Sequence, residues 1–69
     1  MINSAEYLAL RAFVVVAQQL NFRAAAEILG VSASAVSQQI TALEAQLGQR
    51  LLNRTTRAVY LTDDGNSLF

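Results

Sequence analysis

The 69-residue chain contains no cysteine and no histidine, which excludes disulfides, thiolate or imidazole metal sites, and any catalysis that relies on those groups. Proline is also missing and glycine occurs 3 times, so a chain that is 54% hydrophobic lacks the composition of a disordered segment. Aromatic residues make up 7%, whereas there are 12 alanines, so the core relies on close helix packing rather than on bulky rings. Long apolar runs are missing too. The longest, Ala12 to Ala17, is far shorter than the roughly 20 residues that cross a bilayer. The opening MINSAEYLAL has no basic stretch of the kind that begins a signal peptide, so the chain reads as soluble and cytoplasmic, with no membrane partner. An excess of positive charge is absent as well. The formal net charge is +0, which counts against a polyanionic partner, but the distribution matters more than the sum. Arg50, Arg54 and Arg57 lie in an acid-free segment between Gln49 and Leu61, and Asp63 and Asp64 follow it.

A chain of this length makes one domain that buries only about 60% of its unfolded surface. Helical signals dominate its first two thirds. Asn3 and Glu6 have capping-box spacing, so a first helix is expected from near Ser4. Leu10, Phe13, Val14 and Ala17 recur at helical spacing and are expected to form its buried stripe, while Val15 lies off that stripe and faces a later helix. Asn21 is placed to cap a short second helix that runs through Leu29, where Gly30 supplies a left-handed end. After a turn from Gly30 to Ser32 or Ala33, a third helix is expected from about Ala33 to Leu47, stopped by Gly48.

At about 100° per residue, Val36, Ile40, Leu43 and Leu47 share one face of the third helix, the expected core face. Ser34, Gln38, Thr41 and Ala45 share the opposite one, which is small and hydrogen-bonding where an ordinary solvated helix carries Glu and Lys. In LLNRTTRAVYLT, β-branched and aromatic residues flank a polar Thr55 to Arg57 turn, the pattern of a two-stranded hairpin. Thr62 followed by Asp63 and Asp64 looks like an N-cap and an acidic first turn, which the helix dipole favours. The expected organisation is therefore a domain over residues 1–62 and the start of a further helix over 63–69, cut short at Phe69.

Asn21 to Leu47 thus reads as helix-turn-helix, and such a pair suggests DNA. A major groove admits one α-helix, whose N-terminal end enters first. Ser34, Ser37, Gln38 and Thr41 are suited to base edges, Gln38 to bidentate pairing with adenine. Read blandly, the same residues only solvate a helix surface, and spacing leaves both readings open. Arg54 and Arg57 flank the hairpin turn, either reaching phosphates or the minor groove or lying on a solvated strand edge. Arg50, at the hairpin's base, is expected to pair with Glu44 rather than reach DNA. Arg23 opens the second helix, where a cation opposes the dipole; a phosphate partner would rationalise it. Ala25 and Ala26 are the small residues that a close helix crossing needs.

Taken together, Leu10, Phe13, Val16 and the run from Asn21 to Gly65 resemble the N-terminal DNA-binding domain of LysR-type transcriptional regulators. The specific matches are Ala25-Ala26, Leu29, Ala35-Val36-Ser37, Gln39-Ile40, Leu43-Glu44, Leu47-Gly48, Arg54, and Leu61-Thr62 with Gly65. The resemblance implies a mainly α winged helix-turn-helix: a three-helix core, a two-stranded wing on the backbone and minor groove, and a fourth helix that mediates dimerisation. It places Ala33, Ser34, Ser37 and Gln38 at base-reading and phosphate-contacting positions, and Arg57 at the wing tip. Many members have Gln at position 33 and Pro or Arg near 34 and 38, and Ser or Thr more often at 23; these departures leave the implied fold intact and do not carry over a DNA sequence. The resemblance further implies double-stranded DNA and a second copy as partners. Any small-molecule effector would act through a larger C-terminal domain outside these residues, and the chain reads as an excised or truncated domain. Two alternatives remain at this point: the similar winged domain of molybdate-responsive regulators, and a winged module for protein association. No nucleophile and base stand at a recognisable spacing, so neither an enzyme nor a cofactor is expected.

Overall fold

The computed structural model describes residues 4–55 and 58–69. Three helices lead: α1 (Ser4–Gln19), α2 (Phe22–Leu29) and α3 (Ala33–Leu47). A two-stranded sheet of β1 (Leu52–Arg54) and β2 (Val59–Leu61) follows, and α4 (Asp63–Leu68) ends the described chain. The strands are antiparallel, with Leu52 opposite Leu61, Asn53 opposite Tyr60 and Arg54 opposite Val59.

Local chemistry explains the boundaries. The Asn21 side chain accepts the Ala24 N–H at 2.9 Å, Ser32 Oγ accepts the Ala35 N–H at 3.1 Å, and Thr62 Oγ1 accepts the Gly65 N–H at 2.9 Å. Each supplies a partner for a first-turn donor that has none inside its helix. Gly30 and Gly48 end α2 and α3 at φ of +73° and +67°, backbone that side chains with a Cβ rarely adopt. Helix α1 ends without such a residue: Leu20 takes φ +51° itself, and its N–H bonds back to Val16 O at 2.6 Å. The helix begins at Ser4 as expected, while the Asn3 part of the capping box lies outside the described residues.

The core is made by Ala9, Ala12, Phe13, Val16 and Ala17 of α1, Ala25 and Ala26 of α2, Val36, Ile40 and Leu43 of α3, and Leu51 and Leu52. Its alanines let three short helices approach closely, as the composition implied. Val15 is partly buried against this cluster. Two expected core positions are corrected. Val14 is 39% exposed, because it sits about 100° from Phe13, beyond an arc that runs from Ala12 through Phe13 to Ala17. Leu47 is 43% exposed. Gln46 Nε2 donates to Glu6 Oε1 at 2.5 Å, so this end of α3 is level with the first turns of α1 and little described chain remains to cover Leu47.

Candidate nucleic-acid interface

The short α2 and the longer α3 are joined by Gly30, Val31 and Ser32. The Gly30 and Val31 N–H groups both return to Ala26 O, at 2.8 and 3.1 Å, closing α2 tightly before Ser32 starts α3. Ala25 is fully buried and Ala26 is 5% exposed, so the helices meet at these small residues, as the sequence implied. This crossing leaves one face of α3 free. Ala33, Ser34, Gln38, Thr41 and Ala45 are all exposed, and none carries a charge. Ser37 beside them is half-buried, and Arg23 is exposed on the first turn of α2. The structure thus gathers six of the eight candidate residues at α3 and the start of the helix before it: Arg23, Ala33, Ser34, Ser37, Gln38 and Thr41.

Arg54 points elsewhere than a wing-tip cation would. Its Nη1 donates to Ser37 Oγ at 2.7 Å, its Nη2 stands 3.9 Å from Glu44 Oε1, and its guanidinium carbon lies 4.7 Å from the centre of the Phe22 ring. One side chain on β1 therefore touches the first residue of α2 and two residues of α3. Glu44 was expected beside Arg50. Instead Arg54 takes that place, and the other Glu44 oxygen accepts the Leu51 and Leu52 N–H groups at 2.9 and 3.2 Å. Arg50 is exposed and borders a cleft of about 450 Å³ between the C-terminal half of α3 and the base of the hairpin, with Thr41, Ala45 and Arg54. Arg57 lies outside the described residues.

Phe22 is the residue that sequence reasoning missed. It opens α2 directly after the cap, and its role as a platform for Arg54 depends on a contact between residues far apart in the chain. A lone aromatic at that position gives no local sign of it.

A small helical core, a tight α2–α3 pair with one free uncharged face, and an antiparallel hairpin against α3 together define a winged helix-turn-helix domain. The family described as "Bacterial regulatory helix-turn-helix protein, lysR family" matches residues 8–66, and the chain belongs to this family. That match is to the LysR rather than the molybdate-responsive regulators. The HTH-type transcriptional regulator PtxR of Pseudomonas aeruginosa is 57% identical over 60 residues, which are 87% of this chain. The chain spans 19% of the length of that curated relative. Among solved structures, the CbnR_DBD-DNA complex is similar with a TM-score of 0.87 and 42% identity, covering 90% of this chain and 71% of that one. The BenM_DBD/catB site 1 DNA complex gives a TM-score of 0.86 and 38% identity, covering 91% and 70%.

Proposed function

We propose that the chain binds double-stranded DNA sequence-specifically, as the reading head of a LysR-type transcriptional regulator, and does so by recognition without chemistry. The observation that carries this reading is the free face of α3. Ser34, Gln38 and Thr41 stand exposed along it, uncharged and able to donate and accept hydrogen bonds, on a helix fixed by a cap at each end. Such a face suits base edges in a major groove, Gln38 being able to pair with adenine through both polar atoms. Arg23, at the start of α2, is the cation placed for a flanking phosphate. The CbnR and BenM domains, solved with DNA, support the reading by their similarity. Ala33 lies where α3 would enter the groove, and Arg57 belongs to the proposed wing contact.

Residues 63–69 are read as the start of a helix through which two copies associate. A two-fold dimer would set two recognition helices about one helical turn apart, reading inverted half-sites at roughly 10 to 10.5 bp spacing or a multiple of it. An effector would act through regions beyond these residues, and the place of action is the cytoplasm. Among the described residues no helix is long and apolar enough to cross a membrane.

Selection from a pool of random duplexes, using a dimerised form of the domain, tests the proposal. Enrichment of an inverted repeat is the expected result. The net charge of +0 favours protein association as a second reading; a selection that enriches no sequence would overturn the DNA-binding reading.

A further inference from the structure

Arginine carries donors only, so the bond between Arg54 and Ser37 has one possible direction: Nη1–H donates and Ser37 Oγ accepts. The Ser37 proton is then left over. A helical serine often gives its proton to the carbonyl one turn back, but among the described residues no such bond of Ser37 is formed. Ser37 is half-buried, one residue from Gln38 and three from Ser34 on the proposed reading face. Its oxygen thus accepts from Arg54, while its proton has no acceptor among the described residues.

The holding side chain is itself restrained on three sides. Phe22 lies under its guanidinium, Glu44 stands beside Nη2, and the β1 backbone that carries it pairs with Val59. Glu44 in turn is anchored by the Leu51 and Leu52 N–H groups. With its charge facing Glu44 and its side chain 30% exposed, Arg54 is poorly placed to neutralise a phosphate.

We propose that Arg54 is a positioning residue that fixes Ser37 as a one-way hydrogen-bond donor toward an acceptor atom of the duplex. Arg54 itself does not bind a phosphate. The acceptor is a phosphate oxygen or a base-edge acceptor such as purine N7. This rests on the DNA-binding reading above and adds the polarity of one contact and the origin of that polarity.

The test uses the chain with duplexes selected from the random pool, measuring affinity across a salt series for the parent, S37A, R54Q and the double variant. S37A and R54Q should each weaken binding about five- to tenfold, as expected for loss of one hydrogen bond. The double variant should be no weaker than the worse single one, and the log affinity against log salt slope should be unchanged in all. A slope shallower by about 0.9 in R54Q would show that Arg54 neutralises a phosphate and would overturn the proposal. Additive losses in the double variant would overturn it as well.

The source of the acceptor is read from base-substituted duplexes: a base edge makes S37A lose preference at one position, and a phosphate makes it lose affinity uniformly. Either outcome supports a donor role, whereas full affinity of S37A refutes it. If R54Q does not fold, R54M, which cannot donate to Ser37 Oγ, replaces it, with a loss equal to that of S37A expected and wild-type affinity overturning the proposal. Failure of the parent chain to bind any duplex would instead sink the DNA-binding reading on which this rests.

Discussion

The Glu44 carboxylate accepts the backbone N–H of Leu51 at 2.9 Å, across the turn that Gly48 makes at the end of α3. The same oxygen accepts the Leu52 N–H at 3.2 Å, so one side chain satisfies two successive donors at the point where helix gives way to strand. Both leucines are fully buried, and water cannot easily replace the carboxylate. Glu44→Ala should therefore destabilise the fold by about 2 to 3 kcal/mol, the cost of leaving buried donors unpaired. Glu44→Gln keeps an acceptor oxygen and should cost about 1 kcal/mol. Urea unfolding of the two variants checks the order, and equal stability of both would refute this account.

Glycine is required at Gly65 and Gly48 for different reasons, and substitution should separate them. A Cβ on Gly65 would lie 2.1 Å from the Leu51 carbonyl oxygen, whereas one on Gly48 would meet nothing within 4 Å. Gly48→Ala should cost about 1 to 2 kcal/mol for its left-handed backbone, and Gly48→Asn should recover part of that loss. At Gly65 neither Ala nor Asn is accommodated without moving backbone, so both should lower the melting temperature alike.

Ala25 is fully buried where α2 crosses its neighbours. Ala25→Leu should overpack this crossing and cost about 1 to 3 kcal/mol, measured by thermal or denaturant unfolding. Ala45, exposed on α3, provides the control: Ala45→Leu should change stability by less than about 0.5 kcal/mol.

For the proposed reading face the expected signature is loss of binding with retained stability. Gln38 is exposed, so Gln38→Ala should leave unfolding within about 0.5 kcal/mol of the parent. Duplex affinity should fall by about 1 to 3 kcal/mol, with relaxed preference at one base pair. Fluorescence anisotropy on the selected duplex and its single-base variants measures both. With Arg23 and Arg57 as the proposed phosphate contacts of each monomer, log affinity should fall against log salt with a slope of about −2.

Much of the architecture was legible because its signals are local. Asn21, Gly30, Gly48 and Thr62 act within a few residues of themselves, and each stands where its cap or stop is formed. The outward set Ser34, Gln38, Thr41 and Ala45 follows from one helical wheel. Val14 and Leu47 were misjudged because periodicity locates a face but not the limits of what covers it. In α1 the alanines at 9, 12 and 17 complete the buried arc, and alanine is equally at home on either face. Arg54 was legible as a family position, but not in its direction. Its contact with Ser37 joins residues 17 apart, and its displacement of Arg50 beside Glu44 depends on how β1 meets α3.

Leu51 gathers more of the molecule than its place between elements suggests. Its N–H is held by Glu44 of α3, its carbonyl receives the Thr62 N–H at 3.0 Å, and Gly65 of α4 rests against that same carbonyl. A single residue therefore ties together α3, the hairpin and the helix that follows. Elements joined in this way open as one cooperative unit, so the slowest amide exchange should cluster about Leu51, and the wing cannot fray at its base without releasing the end of α3 as well.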